Sequence, residues 1–146
     1  MATAIVMANE GCTEMLAILF NAQAQEAHVH LKLFATNTSP VDTMTTATFT
    51  EAAGGGYAQK TLACTSSGTD WTINANNPRD ITAAAQTFTF TGVLTTNGTV
   101  YGYYVTNAAE NKVLWAQLFD ATFTPTNNGD NIVITPKLQL GNGTPT

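Results

Sequence analysis

Only one segment of the chain has the periodicity of an amphipathic helix, and the other patterned segments alternate as strands do. In NEGCTEMLAILFNAQ, residues 9–23, apolar positions 12, 15, 16 and 19 follow the i, i+3, i+4, i+7 spacing of one helix face. Asn9 is a predicted N-cap, and Glu10 lies in the first turn, where the helix dipole favours a carboxylate. One helix cannot supply repeated βαβ crossovers, so the pattern disfavours a parallel α/β sheet.

The strand-like segments are short and are separated by turn residues. They are residues 27–35, 57–64, 70–74, 85–92, 100–106, 112–119 and 131–140. Gly, Pro, Asn and Asp lie between them, as is typical of loops. This order predicts an all-β fold, β-sandwich or jelly-roll-like, with one short N-terminal α-helix. We expect a single domain over residues 1–146, with the helix at about 9–21, the sandwich at about 27–141 and a flexible tail at 142–146.

The segment 36–56 is long, Thr-rich and almost uncharged. It could hold a short edge strand around residues 47–50, or it could be an extended loop. Loops of this length are uncommon in compact domains and are often interaction elements.

The charge content excludes several classes of partner. Charged residues make up 10% of the chain, whereas an ordinary soluble domain has about 25%. The net charge is −5, and the five basic residues are scattered, so we expect no nucleic-acid partner. No signal peptide is visible, and no apolar run is long enough to span a bilayer, so we expect no membrane association.

His28 and His30 are the only histidines, and their spacing puts them on one face of a strand together with Glu26. Such a set could offer ligands to a metal ion. The simpler interpretation is a solvent-exposed polar face of Glu26, His28, His30 and Lys32, with the alternating apolar residues buried. We therefore predict no metal site.

No motif indicates catalysis or a bound cofactor. The carboxylates lie mostly in or beside loops, and no pair has a spacing that suggests a general acid and a nucleophile. A sandwich glycosidase could still bring together two carboxylates from distant strands. The three glycines 54–56 are not followed by the residues of a phosphate loop, and they indicate a bend before Tyr57. The sequence predicts a protein that is not an enzyme.

Cys12 and Cys64 have no metal-binding or redox spacing. Cys12 shares the apolar helix stripe and Cys64 ends a strand-like segment, so we predict two buried free thiols. The sequence leaves a disulfide between them open.

The segment VYGYYVTNAAENKVLWAQLF, residues 100–119, is the most aromatic part of the chain and predicts a hairpin. By strand alternation, Tyr101, Tyr103 and Val105 share one face. Both faces of both strands are apolar, so one should be sandwich core and the other covered by the helix, the long loop or another subunit. The candidate interface residues are Tyr101, Tyr103, Trp115, Phe49 and Tyr57. Alternatively, Trp71, Tyr101, Tyr103 and Trp115 could be sugar-stacking platforms.

The order of these motifs resembles a group of small virion proteins of tailed bacteriophages. The resemblance rests on a short N-terminal helix followed by VHLKLFATNTSP, FTEAAGGGYA, VYGYYVTNAAENKVLWAQLF and GDNIVITPKLQL, and it covers about residues 9–141. The chain departs from the group in its low charge and in its long segment 36–56.

The resemblance implies a β-rich structural component of the virion, made in the host cytoplasm. It favours a capsid decoration (cement) protein on the capsid surface, with the major capsid protein or other virion proteins as partners. A tail or fibre component, or a carbohydrate-binding module on an appendage, is the alternative. A homo-oligomer is expected, and the three-fold positions of a capsid would suit a trimer. The resemblance carries no catalytic residue.

Overall fold

The computed structural model describes residues 4–64, 70–75 and 79–139. The predicted tail 142–146 and most of the loop 65–70 lie outside these residues. One helix, α1, spans Asn9–Phe20, and a 3-10 turn spans Thr46–Thr48. The strands are β1 (Val6–Met7), β2 (His28–Phe34), β3 (Lys60–Ala63), β4 (Trp71–Asn74), β5 (Asp80–Ala83), β6 (Gln86–Thr89), β7 (Val100–Thr106), β8 (Val113–Phe123), β9 (Asn131–Ile134) and β10 (Lys137–Gln139).

The strands form three antiparallel sheets. The largest has the order β1-β8-β7-β2-β3, and two smaller sheets have the orders β10-β5-β4 and β6-β9. A first core lies between them: Leu31, Leu62 and Val105 of the large sheet pack with Ala83, Phe88 and Leu138 of the small ones. Strands make up 41% of the described residues, and the predicted all-β, sandwich-like fold with one short helix is confirmed.

The outer face of the large sheet has a second core. Phe34 and Tyr104 of the sheet pack there against Met44 and Phe49 of the segment 36–56. Phe49 stacks on both rings, with centroids 4.7 Å from Phe34 and 5.0 Å from Tyr104. The second face of the hairpin was predicted to be covered by the helix, the long loop or another subunit, and of these three the long loop packs on it.

The possible edge strand around residues 47–50 is wrong, because a 3-10 turn occupies Thr46–Thr48. The segment runs back alongside β2 instead. Ala35 donates its N–H to Thr50 O at 2.8 Å, and Ala52 donates to Leu33 O at 2.9 Å. These bonds fix the loop on the sheet so that Phe49 points into the second core.

Two features of the smaller sheets differ from the sequence prediction. Strand β5 lies between the predicted strand segments 70–74 and 85–92 and was not predicted; its Asp80 is buried, and the Asp80 carboxylate binds Lys137 Nζ at 2.8 Å. The segment 131–140 forms two strands, β9 and β10, which pair with different sheets. The break falls at Pro136, which cannot donate to a ladder.

The predicted exposed polar face of β2 is wrong. His30 and Lys32 are buried, the latter with 6% exposure. Strand β2 lies inside the large sheet, between β7 and β3, and side chains from the long loop and the β7–β8 turn cover its outer face. Alternation correctly separated the two faces of β2, but both faces are covered.

Bulges change which face of the sheet the aromatic side chains of the hairpin occupy. The β7–β8 register shifts between Val100 and Gly102 and again between Val105 and Thr106. As a result Tyr103 packs in the first core, whereas Tyr101 packs at the edge of the second. The prediction that Tyr101 and Tyr103 share a face is wrong, because a bulge breaks the alternation.

Candidate functional site

The helix α1 lies on the large sheet with a different face from the predicted one. Its sheet side carries Gly11, Glu14, Met15 and Ile18. Gly11 lies directly against the Leu114 carbonyl, where a Cβ atom would overlap the β8 backbone. A glycine at this point allows close approach of the helix to the sheet. The N-cap is Ala8, so the predicted N-cap at Asn9 is also wrong.

A buried carboxylate anchors the sheet side of the helix. Glu14 is 4% exposed and accepts hydrogen bonds from Lys112 Nζ and Gln23 Nε2. The bond from Lys112 lowers the pKa of Glu14 against the opposing effect of burial. One turn earlier, Glu10 accepts the Val113 N–H at 2.9 Å. The carboxylates of α1 therefore attach it to the start of β8.

An open apolar cavity of about 520 Å³ lies between α1 and the sheets. Trp71, Ile81, Leu114, Trp115 and Leu138 form much of its wall, and the two indoles meet edge-on with centroids 6.0 Å apart. The polar residues that line it are Glu14, Gln25 and Glu26. Its size is in the range of sites that hold small molecules or anchoring side chains.

Large apolar side chains are exposed on the outer side of α1 and at the cavity wall. Leu16, Leu19 and Phe20 are 57%, 67% and 77% exposed on the outer side of α1, and Ile73 of β4, at the cavity wall, is 75% exposed. We name these four residues the apolar patch. Cys12 lies one turn before Leu16 and is exposed too. The predicted stripe at 12, 15, 16 and 19 is thus mainly solvent-facing, and the core-facing set is displaced from it by one position.

Both cysteines are free, as predicted, so the open possibility of a disulfide is settled. The prediction that both are buried is wrong for Cys12, because the helix turns that side toward solvent. Cys64 is half-buried in the wall of the cavity, and burial raises the pKa of its thiol.

The five candidate interface residues lie mainly inside the chain. Phe49, Tyr103 and Trp115 are buried, and Tyr57 and Tyr101 are half-buried. Burial raises the pKa of Tyr103 to about 12, so its hydroxyl is neutral at physiological pH. Of the five, Trp115 lines the cavity beneath α1. The structure does not bring these five residues together on one surface.

A second polar cluster lies over β2. Lys32 Nζ donates to Glu51 Oε2 at 3.0 Å and to Glu110 Oε2 at 2.6 Å, and Gln59 Nε2 donates to Glu110 Oε1 at 2.8 Å. His30 Nε2 is 3.5 Å from Glu110 Oε1. Burial acts to lower the pKa of Lys32, but the two carboxylates raise it above its ordinary value.

Glu51 and Glu110 come from distant segments, as the carboxylate pair of a sandwich glycosidase would. A glycosidase pair needs one acid with a raised pKa. Here hydrogen bonds from Lys32 and then Gln59 lower the pKa of Glu110, and Lys32 lies between the two carboxylates. The arrangement is that of an ion-pair network that closes the outer face of the sheet.

The described parts of the chain offer no group of three His, Cys, Asp or Glu side chains arranged to hold a metal ion. Within the same residues, no helix is long and apolar enough to cross a membrane. No protein-family model matches the chain, and a search of curated proteins finds no match.

Sequence reasoning missed the most unusual residues of this region. Glu14 is a buried carboxylate on a helix, and its partner Lys112 is 98 positions away. The only local signal is Gly11, which is unfavourable inside a helix and therefore suggests a close backbone approach. Glycine at 11 with Glu14, Met15 and Ile18 gives the i, i+3, i+4, i+7 spacing of the side that contacts the sheet.

Proposed function

We propose that this chain is a non-enzymatic structural protein of a tailed-bacteriophage virion, a capsid decoration protein that stabilises contacts between major capsid subunits. The observation that carries the proposal is the apolar patch beside an open apolar cavity. Large apolar side chains clustered on a monomer surface are typical of a protein contact site. The resemblance of the sequence to small virion proteins supports the phage context and the capsid surface as the location.

Two further properties support a contact role. The charge-poor surface lowers the free energy needed to remove water from it when a large area is covered. The long loop and the ion-pair network cover the outer face of β2, and the first core covers its inner face, so the sheet is packed on both sides. A homo-oligomer, as a trimer at three-fold positions, remains part of the proposal.

The proposal is tested by quantifying the chain in purified virions against the major capsid protein by mass spectrometry. A decoration protein is expected at a copy number commensurate with icosahedral positions. A few copies per particle would instead place it in the tail or fibre, and its absence from particles would overturn the virion assignment.

A second test uses the surface itself. Depleted particles are incubated with the wild-type chain, with Phe20→Asp, and with Val41→Asp as a matched control. Val41 is 49% exposed in the long loop and lies outside the apolar patch. We expect Phe20→Asp to lose rebinding and Val41→Asp to retain it; equal rebinding by both variants would exclude the patch as the attachment surface.

Carbohydrate binding on a virion appendage is the second candidate function. Its supporting observation is Trp71, which is half-buried in the wall of the open cavity and has a buried indole N–H without a hydrogen-bond partner among the described residues. The cavity wall is otherwise mostly apolar, whereas sugar recognition needs several polar side chains around the ring. A glycan array distinguishes the two candidates, because a decoration protein is expected to bind none of the sugars.

A further inference from the structure

The cavity beneath α1 lies in a region of negative charge. Three carboxylates, those of Glu14, Glu10 and Glu26, act on the single ammonium of Lys112, and each raises its pKa. Glu26 and Asp70 also lie close enough to Cys64, in the cavity wall, to raise the pKa of its thiol. Three carboxylates thus act on one lysine, and a fourth, that of Asp70, lies near Cys64.

The remaining carboxylate at the cavity is Glu26. Glu14 is held by Lys112 and Gln23, Glu10 accepts the Val113 N–H, and Asp70 accepts the Ala63 N–H at 2.7 Å. Glu26 is half-buried in the cavity wall and has no hydrogen bond or ion pair among the described residues. None of the described residues that line the cavity is basic. A ligand with a positive charge would therefore meet, next to an apolar recess, a carboxylate that accepts no hydrogen bond from the described residues.

The extent of the apolar patch favours a polypeptide as the occupant. Leu16, Leu19 and Phe20 lie outside the recess, so a molecule that only fills the cavity would leave these three side chains exposed. A second copy of this chain would place two acidic surfaces against each other if the contact were symmetric, and like charges disfavour that contact. A partner with basic residues beside an apolar anchor matches both the charge and the apolar surface.

We propose that the cavity beneath α1 receives an apolar side chain of a partner protein segment that carries lysine or arginine next to that side chain. The apolar anchor occupies the recess between Trp71, Leu114 and Trp115, and the basic residue binds the Glu26 carboxylate. The neighbouring residues of the segment cover the apolar patch. This inference deepens the proposed function and rests on it, because it describes how a virion partner would attach.

The two tryptophans of the chain both line the cavity, so intrinsic fluorescence reports its occupancy. The probes are three capped peptides: a Leu-Phe pair flanked by lysines, the same pair flanked by glutamates, and a Ser-Ser pair flanked by lysines. At low ionic strength we expect a saturable spectral change with the first peptide, about tenfold weaker binding of the second, and no saturation with the third. The difference between the first two should shrink in high salt.

Two variants locate the binding site. Glu26→Gln removes one negative charge from the edge of the cavity. It should therefore weaken binding of the lysine-flanked peptide about fivefold and should not weaken binding of the glutamate-flanked peptide. Asp42→Asn is the matched control, since Asp42 is an exposed carboxylate outside the cavity wall, and it should leave both affinities unchanged. Ile18→Phe, which adds volume inside the recess, should reduce binding of the first peptide without unfolding the chain.

Three results would overturn the inference. They are equal binding of all three peptides, no fluorescence change with the lysine-flanked Leu-Phe peptide, and self-association of the chain that Phe20→Ser abolishes. If the peptides fail while Phe20→Asp still loses rebinding to particles, the partner chemistry is wrong and the attachment surface stands. If the peptides bind as expected but the chain is absent from virions, the site stands and the proposed function is wrong.

Discussion

Gly11 of α1 lies so close to Leu114 of β8 that even a methyl group on Gly11 would overlap the Leu114 carbonyl. This contact fixes the rotation of the helix about its own axis. It turns Glu14 and Met15 toward the sheet and leaves Leu16 and Phe20 toward solvent. The exposed apolar patch is a consequence of this backbone approach.

Gly11→Ala is expected to destabilise the chain by about 1–3 kcal/mol, because either the helix or β8 must move to remove the overlap. Alanine is the better helix former, so local propensity alone predicts the opposite sign. Urea denaturation measures the difference, with Cys12→Ala as the control at the neighbouring exposed position. A Gly11→Ala variant as stable as wild type would show that the helix can move away without loss.

Lys112→Met should leave the buried Glu14 carboxylate without its main partner and lower the free energy of unfolding at pH 7 by about 1–3 kcal/mol. Lys112 lowers the folded-state pKa of Glu14, so its removal makes the ionised form unfavourable in the folded chain. The loss should therefore be smaller at pH 4, where protonation relieves the unpaired charge. The double variant Glu14→Gln/Lys112→Met should recover part of the stability, and an unchanged deficit would contradict the pairing.

Phe49→Ala should cost about 3–5 kcal/mol in the isolated chain, since the ring is stacked between Phe34 and Tyr104. Val41→Ala, in the same loop but 49% exposed, should change stability by less than about 0.5 kcal/mol. Thermal or chemical denaturation without any partner separates a core role of Phe49 from a role that appears only on assembly. If the Phe49→Ala variant were as stable as wild type, the loop would not contribute to the core.

Acid should weaken the polar cluster over β2 through Glu110. Its folded-state pKa is lowered, so its contribution to stability is present above the unfolded-state pKa and is lost as the pH falls through the folded-state value. The side chain is 38% exposed, which limits the contribution to below about 1 kcal/mol. Denaturation midpoints at pH 7 and pH 3 should therefore differ less in Glu110→Gln than in wild type, and Asp42→Asn should behave as wild type.

The strand assignments were largely accessible from the sequence, because alternation and turn residues are local signals. Each of the seven predicted strand segments overlaps at least one strand, and β8 continues past its segment to Phe123. The errors arose where distant contacts override local preference. Asp80 forms part of a strand because Lys137 pairs with it, and His30 and Lys32 are buried because Glu51 and Glu110 arrive from other segments.

The candidate site was less accessible than the fold. Trp71 and Trp115 were singled out as aromatic residues, but their shared cavity depends on packing between the helix and two sheets. The bulges in β7–β8 place the Tyr101 side chain on the face of the sheet opposite to the predicted one, and no local motif marks the positions of these bulges. An extra residue in one strand moves every following side chain to the opposite face of the sheet. Counting odd and even positions along the sequence therefore assigns the wrong face after a bulge.

By itself, the sequence determined an all-β chain with one amphipathic helix near its start and an apolar hairpin buried on both faces. These follow from the periods of the apolar pattern, which the backbone geometry of strands and helices fixes. The tertiary structure alone decided which side of α1 meets the sheet. The helix is apolar over much of its surface, so the spacing of its apolar residues does not determine which side of the helix faces the sheet. The Gly11–Leu114 approach and the Glu14–Lys112 pair do set it, and both need residues about a hundred positions away.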